Sequence, residues 1–403
     1  MEGKIELADI VREHGPAYLA KYHVTAGERK ALEAIEACRT AQLGGHMEHC
    51  DSCTYSHPAY NSCRNRHCPK CLNIAKAHWL NDRLDDLLPV AYHHVVFTIP
   101  TEVAAIGKRN PRVLYNVLFK ASSQAMLRIA RDEKHLGAKI GFLSVLHTWG
   151  QNLLYHPHVH CVVPAGGLSP EGDKWVAARP GFFLPVRVLS KIFCSLFLKY
   201  LGDAHDKGQL QFGDDDGFLA SPAGWLDFIR KASSTPWVVY SKEPFGGPRQ
   251  VLSYLGRYTH RVAISNHRIQ SLVDGKVAFS WRDYSDGNQA KTMTLEACEF
   301  LRRFLMHVLP RGFQRLRYYG ILGNRYRDAN LARCRSLLGV DGPASESAAD
   351  TASQEPPSLL QQLEEKVAKC PACKIGRLQR GLAIAPTNPI RAAACGYFSM
   401  DSS

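Results

Sequence analysis

The sequence predicts an α+β fold that begins with a metal-binding head. Segments with strand character and segments with helical character interleave, but without the steady βα rhythm of a doubly wound sheet. Residues 46–71 are rich in Cys and His and poor in apolar periodicity, so a metal is expected to replace a hydrophobic core there. A chain of 403 residues, 45% of them hydrophobic, is long enough for two or three domains with a substantial core.

The predicted elements follow from hydrophobic periodicity and from proline and glycine positions. Residues 4–42 are predicted to be mostly helical, with a break at Gly15-Pro16, and a second helix is predicted over 72–88. A strand at 92–100 ends at Pro100, a long amphipathic helix covers 111–131, and strands at 138–149 and 153–163 are close enough to form a hairpin. Further helices are predicted at 185–200, 249–263 and 293–308, and further strands at 237–241 and 277–281.

These elements divide the chain into three parts. Residues 1–88 form a helical segment and a zinc-binding domain with its knuckles in 46–75, and residues 89–338 form the α+β domain. The run 342–357 is small, polar and bounded by prolines, which is typical of a linker or a disordered segment. Residues 339–403 are therefore expected to be an irregular tail, in which Cys370-x2-Cys373 is a half-site without a clear mate.

The charge balance favours a polyanionic partner. Fifty Lys and Arg against 37 Asp and Glu give a net charge of +13, and nucleic acid is the commonest partner of such a chain. A basic enzyme without such a partner is the alternative. The N-terminus lacks the apolar run of a signal peptide, and no segment reaches the roughly 18 apolar residues of a membrane span. A cytoplasmic protein with reduced cysteines and no membrane partner is expected.

The cysteine spacing in the head predicts a structural zinc site. Cys50-x2-Cys53 and Cys68-x2-Cys71 are two knuckles, and four thiolates complete a closed tetrahedron with no position left for water. Cys63 and His67 lie between the knuckles, so a second ion or alternative ligation stays open. Three cationic side chains in or beside this loop could contact DNA phosphates: Arg64, Arg66 and Lys70. The alternative is that the zinc site only holds the head together.

A histidine-rich strand predicts a second, catalytic metal site. His158 and His160 face the same way because side chains alternate along a strand. His156 shares that face but lies about 13–14 Å from His160, too far to join the same ion. Gln151, across the hairpin turn, is the preferred third ligand, with His147, His93 and His94 in reserve. A His/His/Gln set leaves positions open for Mg²⁺ or Mn²⁺ to bind water and phosphate oxygens.

Two tyrosines are candidate nucleophiles. Tyr254 and Tyr258 stand on one face of a predicted helix, and a phenol can form a covalent phosphotyrosine ester. Core packing is the alternative explanation of this spacing, but Arg257, His260 and Arg261 favour a surface that faces phosphates. Further on, arginines interleave with aromatic residues, a pattern that favours binding of single-stranded DNA. A solvated basic helix is the alternative explanation. The candidate DNA contacts are Arg315, Arg317, Arg325 and Arg327.

Together these motifs resemble the HUH-superfamily transposases of rolling-circle insertion sequences, the two-tyrosine group typified by insertion sequence ninety-one. The resemblance extends from about residue 10 to 335 and rests on the segments 60–71, 93–100, 147–151, 156–160 and 254–264. It implies a zinc-binding head followed by an HUH endonuclease domain, whose central antiparallel sheet is flanked by helices. In that sheet the strand like Val95–Ile99 lies beside the metal-bearing strand.

The resemblance also implies an activity. His158 and His160 match the metal motif, Tyr254 and Tyr258 match the paired nucleophiles, and Gln151 sits where related replication initiators place an acidic or amide ligand. The implied reaction cuts one strand at a transposon end, forms a 5′-phosphotyrosine and transfers that strand to target DNA by a rolling-circle route, in a bacterial cytoplasm and at its nucleoid. Two alternatives stay open: a plasmid replication initiator or relaxase, and a catalytically inactive zinc-dependent DNA-binding protein.

Overall fold

The fold is taken from a computed structural model that describes residues 4–71, 86–181, 183–245, 263–283, 286–340 and 369–396, with the backbone alone for 242–245. The predicted helices at 72–88 and 249–263 lie almost wholly outside these residues. No helix among the described residues is long and apolar enough to cross a membrane.

The head begins with two helices, α1 (Leu7–Lys21) and α2 (Ala26–Ala37). The predicted break at Gly15-Pro16 is wrong, because α1 continues through Pro16. Proline removes one backbone hydrogen bond of the helix, but α1 buries an apolar face that includes Ile10, Val11 and Tyr18, and this packing outweighs the loss. The chain leaves the helix at Tyr22, and a capping box between Thr25 and Glu28 starts α2.

The remaining elements were in part predicted. After the head strands β1 (Gly45–Cys50) and β2 (Ser56–Tyr60) come β3 (Tyr92–Thr98), α3 (Thr101–Arg109), α4 (Pro111–Arg131), β4 (Gly141–Trp149), β5 (Tyr155–Pro164), β6 (Gly166–Leu168), β7 (Trp175–Ala177), α5 (Val186–Asp206), α6 (Pro222–Ser234) and β8 (Val238–Phe245). They are followed by β9 (Ile269–Val273), β10 (Lys276–Asp283), β11 (Gln289–Glu296), α7 (Ala297–Leu305), β12 (Leu316–Gly320), α8 (Arg327–Leu337), β13 (Leu378–Ile384) and α9 (Pro389–Ala394).

A five-stranded antiparallel sheet is the centre of the fold. Its strand order is β12-β4-β5-β3-β8, and every neighbouring pair is antiparallel. One face carries residues such as Phe97, Phe142 and Val159, which pack with α4 and α5 in the main hydrophobic core. This arrangement confirms the predicted α+β class, with a central antiparallel sheet flanked by helices. The second face of the sheet carries the histidines.

A second core joins the head to a smaller sheet. Helices α1 and α2 pack with α7 and with β9 to β11, around buried residues that include Phe279 and Phe300. The helix predicted at 293–308 is wrong in its first part, because residues 289–296 are a strand paired with β10. Burial alternates along that strand, which is the period of a half-buried β-strand rather than of a helix.

The C-terminal segment 369–396 is part of the head. Strand β13 pairs with β1 in a three-stranded sheet of order β13-β1-β2, and α9 packs near α2. For residues 369–396 this corrects the expectation that 339–403 form an irregular tail. The pairing partner of β13 lies more than 300 residues earlier in the chain, so local sequence pattern did not reveal it.

Candidate metal centres and nucleic-acid interface

Three histidines lie together on the face of the central sheet that is turned away from α4 and α5. His158 and His160 are two residues apart on β5, and His147 on β4 stands directly opposite His158. Directly opposed residues of antiparallel strands point to the same face. The ligand nitrogens of the three rings all lie within 4.8 Å of one another. These residues could hold one metal ion.

A β-bulge brings His147 to this face. Trp149 pairs with Tyr155 but His147 pairs with His158, so two residue steps on β4 match three steps on β5. The extra residue lies within His156-Pro157, where a proline without an N–H group is tolerated. Without it His147 would oppose Pro157 and point to the other face of the sheet. The spacing of residues along the chain does not reveal this shift in register, so His147 was predicted only as a reserve ligand.

Hydrogen bonds orient two of the three rings. The Nδ1 of His158 lies 2.6 Å from the carbonyl oxygen of His156, so Nδ1–H donates and Nε2 keeps its lone pair. The Nδ1 of His160 lies 2.8 Å from Nε2 of His94, which is buried on β3. A proton on Nδ1 of His160 would direct the lone pair of its Nε2 toward the cluster. Such outer partners commonly fix the ring orientation of metal ligands.

Gln151, the third ligand preferred from the sequence, lies in the turn after β4. Its backbone carbonyl accepts a hydrogen bond from the Arg268 guanidinium, and the residue lines a cleft of about 520 Å³ beside the start of β5. Among the His, Cys, Asp and Glu side chains that the structure describes, His147 is the third member of the group. The cleft also exposes cationic side chains, among them Lys108, Arg282 and Arg302.

The candidate nucleophiles fall outside the described residues. Tyr254 and Tyr258, together with Arg257, His260 and Arg261, belong to a stretch whose structure is not described. The paired-tyrosine assignment therefore stays a prediction from the sequence.

The first cysteine cluster consists of Cys38, Cys63, Cys68 and Cys71. The Cys71 sulfur lies 3.5 Å from the sulfurs of both Cys38 and Cys63. Contacts with Cys38, Cys68 and Cys71 raise the pKa of the Cys63 thiol, so the four sulfurs cannot all be thiolates without a cation among them. Cys38 was missed as a ligand because its helical spacing placed it in the core of α2.

The second cluster consists of Cys50, Cys53, Cys370 and Cys373. The predicted single site of Cys50, Cys53, Cys68 and Cys71 is therefore corrected to two clusters. Cys50 lies at the turn end of the β1–β2 hairpin, whereas the first cluster gathers at its open end. A six-residue strand spans about 17 Å, too far for both knuckles to share an ion. Cys370 and Cys373, predicted as a half-site without partners, are grouped with Cys50 and Cys53.

Two of the predicted DNA contacts in the head are engaged within the protein. The Arg66 guanidinium donates to the carbonyl oxygens of Phe313 and Pro310, at 2.6 and 3.0 Å. The Lys70 ammonium forms an ion pair of 2.5 Å with Glu6. These contacts join the loop of the first cluster to other parts of the protein, which favours a structural role for both cations. Arg64 is exposed.

His67, the alternative ligand, is turned away from the cysteines. Its Nε2 accepts a hydrogen bond of 3.4 Å from the backbone of Leu309. Burial, more than the nearby Arg66 and Arg315, lowers the pKa of His67 to about 3, so the ring is neutral. His67 was left open as a possible zinc ligand, and the cluster of four cysteines does not include it.

The four later arginines occupy different environments. Burial, with Arg66 nearby, lowers the pKa of Arg315 to about 10. Arg317 lies over the ring of Phe119, 4.3 Å from its centroid, and donates to Asn116. Arg327 pairs with Asp86 at 3.7 Å and lies over Tyr318, whereas Arg325 is exposed beside Tyr326. Arg325 is thus the most accessible of these four side chains for a nucleic acid.

Two transposase-related protein families match this chain. A family described as "Putative transposase" matches residues 141–329, and a "Transposase zinc-binding domain" of the IS91 type matches residues 10–99. "Putative transposase y4qJ" of Sinorhizobium fredii (strain NBRC 101917 / NGR234) is 51% identical over 93% of this chain and 94% of that protein. The chain belongs to the IS91-type transposases. This confirms the resemblance drawn from the sequence.

Two other known proteins are less similar to this chain. The transposase for insertion sequence element IS801 of Pseudomonas savastanoi pv. phaseolicola is 29% identical over 78% of this chain and 75% of its own. The conjugative relaxase TrwC, solved in complex with OriT DNA without metal, is 12% identical over 62% of this chain and 72% of its own. Its TM-score of 0.22 is too low for the likeness to carry an argument.

The family matches fit the observed sites of this transposase. The zinc-binding match contains the first cysteine cluster and also Cys50 and Cys53, whereas Cys370 and Cys373 lie beyond it. The transposase match contains all three clustered histidines. The protein is therefore a DNA-processing enzyme with a zinc-binding head.

Proposed function

We propose that this transposase cuts one DNA strand at a transposon end and transfers that strand to target DNA by a rolling-circle route. Tyr254 and Tyr258 are the successive nucleophiles, and His147, His158 and His160 hold the catalytic metal. The observation that carries the proposal is the histidine cluster on the central sheet, within a member of a transposase family. A protein that acts in this way is expected at the bacterial nucleoid.

The donor set of the cluster fits a divalent cation. Three imidazole nitrogens converge within 4.8 Å, and three protein ligands leave further positions for water and phosphate oxygens. Of the two ions expected from the sequence, Mn²⁺ suits imidazole better than Mg²⁺, which prefers oxygen ligands. When bound, the metal polarises the scissile phosphate and stabilises the charge that develops on it.

The basic cleft provides a path for the DNA strand toward this site. Lys108 and Arg282 are exposed, and Arg302 lies at the same cleft, although Glu299 binds its guanidinium at 2.6 Å. His156, whose carbonyl orients His158, lines the cleft as well. Cations along this path would bind the phosphate backbone and leave the bases free for pairing or stacking. We propose that single-stranded DNA is the preferred ligand.

The covalent step is a transesterification at phosphorus. The phenolic oxygen of one tyrosine bonds to the phosphorus, the bond from phosphorus to O3′ breaks, and the phenolic proton ends on O3′. The products are a 5′-phosphotyrosine and a free 3′-hydroxyl. The ester keeps the energy of the broken phosphodiester, so a later 3′-hydroxyl can attack it and release the tyrosine.

The test is a covalent adduct between the protein and a labelled single-stranded oligonucleotide that carries the transposon end. With Mn²⁺, the wild type is expected to form an adduct that survives denaturation, and Tyr254→Phe/Tyr258→Phe is expected to form none. Tyr22→Phe is the matched control, because Tyr22 stacks on Tyr18 in the head at 4.8 Å. If the double variant and the wild type form the same amount of adduct, the tyrosine mechanism is wrong.

A second oligonucleotide, which carries a target sequence, tests the transfer step. A transposase is expected to join the labelled strand to the target, whereas a nickase of the relaxase or replication-initiator type reseals or releases its own substrate. Cleavage without any joined product would reduce the proposed function to nicking.

A further inference from the structure

The second cysteine cluster has the geometry of a metal site, and its ligands come from segments near opposite ends of the chain. The Cys50 sulfur lies 3.7 Å from that of Cys373, and the Cys53 sulfur lies 3.7 Å from that of Cys370. Four sulfurs around a zinc ion, each at about 2.3 Å, lie about 3.8 Å from one another. A disulfide would need about 2.05 Å. The observed separations therefore match a tetrahedron of thiolates and exclude cross-linked pairs.

The backbone around this cluster supports thiolates rather than thiols. The amide of Ser52 donates to the Cys50 sulfur at 3.3 Å, and the amide of Gly376 donates to the Cys373 sulfur at 3.3 Å. A hydrogen bond to the charged form of an acid favours that form. Each knuckle thus has an amide in place for a metal-bound sulfur.

Hydrogen bonds that do not involve the cysteine side chains also hold the two Cys-x2-Cys segments together. The amide of Arg377 donates to Asp51 at 2.9 Å, and the amide of Asp51 donates to the Arg377 carbonyl at 3.1 Å. At Gly376 the fit is so close that a Cβ atom would lie 2.4 Å from the Cys50 sulfur and 2.6 Å from an Asp51 oxygen. Only glycine leaves room for this approach.

We infer that Cys50, Cys53, Cys370 and Cys373 bind a second structural zinc ion, and that this ion fastens residues 369–396 to the head. Four thiolates leave no open position, so the site is not catalytic. The far end of the segment has its own contacts with the head, because Arg391 binds Glu36 at 3.1 Å and Gln42 at 2.7 Å. The segment thereby reaches from the second cluster to the neighbourhood of the first.

The test is the zinc content of the full-length protein, measured by elemental mass spectrometry on chains purified without chelator. Cys370→Ser/Cys373→Ser is expected to lose one zinc ion per chain relative to the wild type, and Cys38→Ser/Cys63→Ser is expected to lose at least one. Cys194→Ser, a partly buried cysteine outside both clusters, is the control and is expected to lose none. If Cys370→Ser/Cys373→Ser keeps the zinc content of the wild type, the second site does not exist.

A measurement on the wild type covers the case in which a variant does not fold. Alkylation of the zinc-loaded protein, followed by peptide mapping, is expected to leave Cys53 and Cys373 unlabelled, although both are only partly buried. A chelator should expose these two cysteines to the reagent and leave the labelling of Cys194 unchanged. If the chelator does not change the labelling of Cys53 and Cys373, no metal holds them.

Discussion

The histidine face and the cysteine head are both candidate metal centres, but they are built in opposite ways. The three histidines stand on strands of a sheet whose other face packs in the main core, so hydrogen bonds and apolar burial fix their positions. The two cysteine clusters lie at the ends of a short hairpin whose strands bury only one of their residues, Cys50. The sheet supports its metal site, whereas metals are expected to support the head.

This difference separates catalysis from folding. A metal that enters a site already formed can leave and return without loss of structure, as an open catalytic site requires. A metal that replaces a core contributes its binding free energy to folding.

The largest effect is expected from loss of the first cysteine cluster. Cys38→Ser/Cys63→Ser should unfold the head, because structural zinc contributes about 10–16 kcal/mol in small zinc domains. Limited proteolysis should then cut within residues 38–71, while the central sheet stays resistant. His158→Ala/His160→Ala is the contrasting variant and should keep the proteolytic pattern of the wild type. Identical patterns in the two variants would remove the distinction between the centres.

The core beneath the histidine face should carry most of the stability of the sheet. Phe97 is fully buried on β3 and packs against Phe193 at 5.0 Å between ring centroids. Phe97→Ala should lower the free energy of unfolding by about 3–5 kcal/mol, measured in urea. Val238→Ala on the exposed edge strand should change it by less than about 0.5 kcal/mol. A small effect at Phe97 would mean that the sheet depends on something other than this core.

The outer partner of the histidine cluster should tune metal affinity rather than stability. His94→Ala removes the hydrogen bond to His160 and should weaken Mn²⁺ binding by about 10–100-fold, measured by calorimetry. His93→Ala is the control, because His93 stacks on Phe183 at the other face of the same strand. Equal losses of affinity in the two variants would show that any disturbance of β3 produces the effect.

The smallest effect is expected at the capping box of α2. Thr25→Ala removes the side chain that accepts from the Glu28 amide and should cost about 1 kcal/mol of stability. Thr25→Ser keeps the hydroxyl group and should cost much less. An unfolding transition that does not shift in Thr25→Ala would mean that α2 contributes little to the stability of the head.

Local pattern predicted what depends on local structure. Alternation along one strand is enough to place His158 and His160 on the same face, and the proline after residue 99 correctly marks the end of β3. The α+β class and the antiparallel sheet are confirmed. The helix boundary near residue 297 was missed because apolar residues in 289–296 also fit part of a helical pattern.

The missed features depend on contacts between distant segments. His147 joins the cluster only through a one-residue bulge in the partner strand, and Cys370 finds its partners only when β13 pairs with β1. Spacing along the chain favoured the nearest cysteine pair, Cys68 and Cys71, as the mates of Cys50 and Cys53. The β1–β2 hairpin separates these pairs in space.

The most direct test of the histidine centre is the affinity for Mn²⁺ of two single variants, measured by calorimetry on the folded protein. His147→Ala removes a proposed ligand and should weaken binding by more than about 100-fold, beyond the effect of an outer partner. Gln151→Ala should leave the affinity close to that of the wild type. The reverse result, with affinity lost in Gln151→Ala and kept in His147→Ala, would contradict the metal site that the register of β4 and β5 builds.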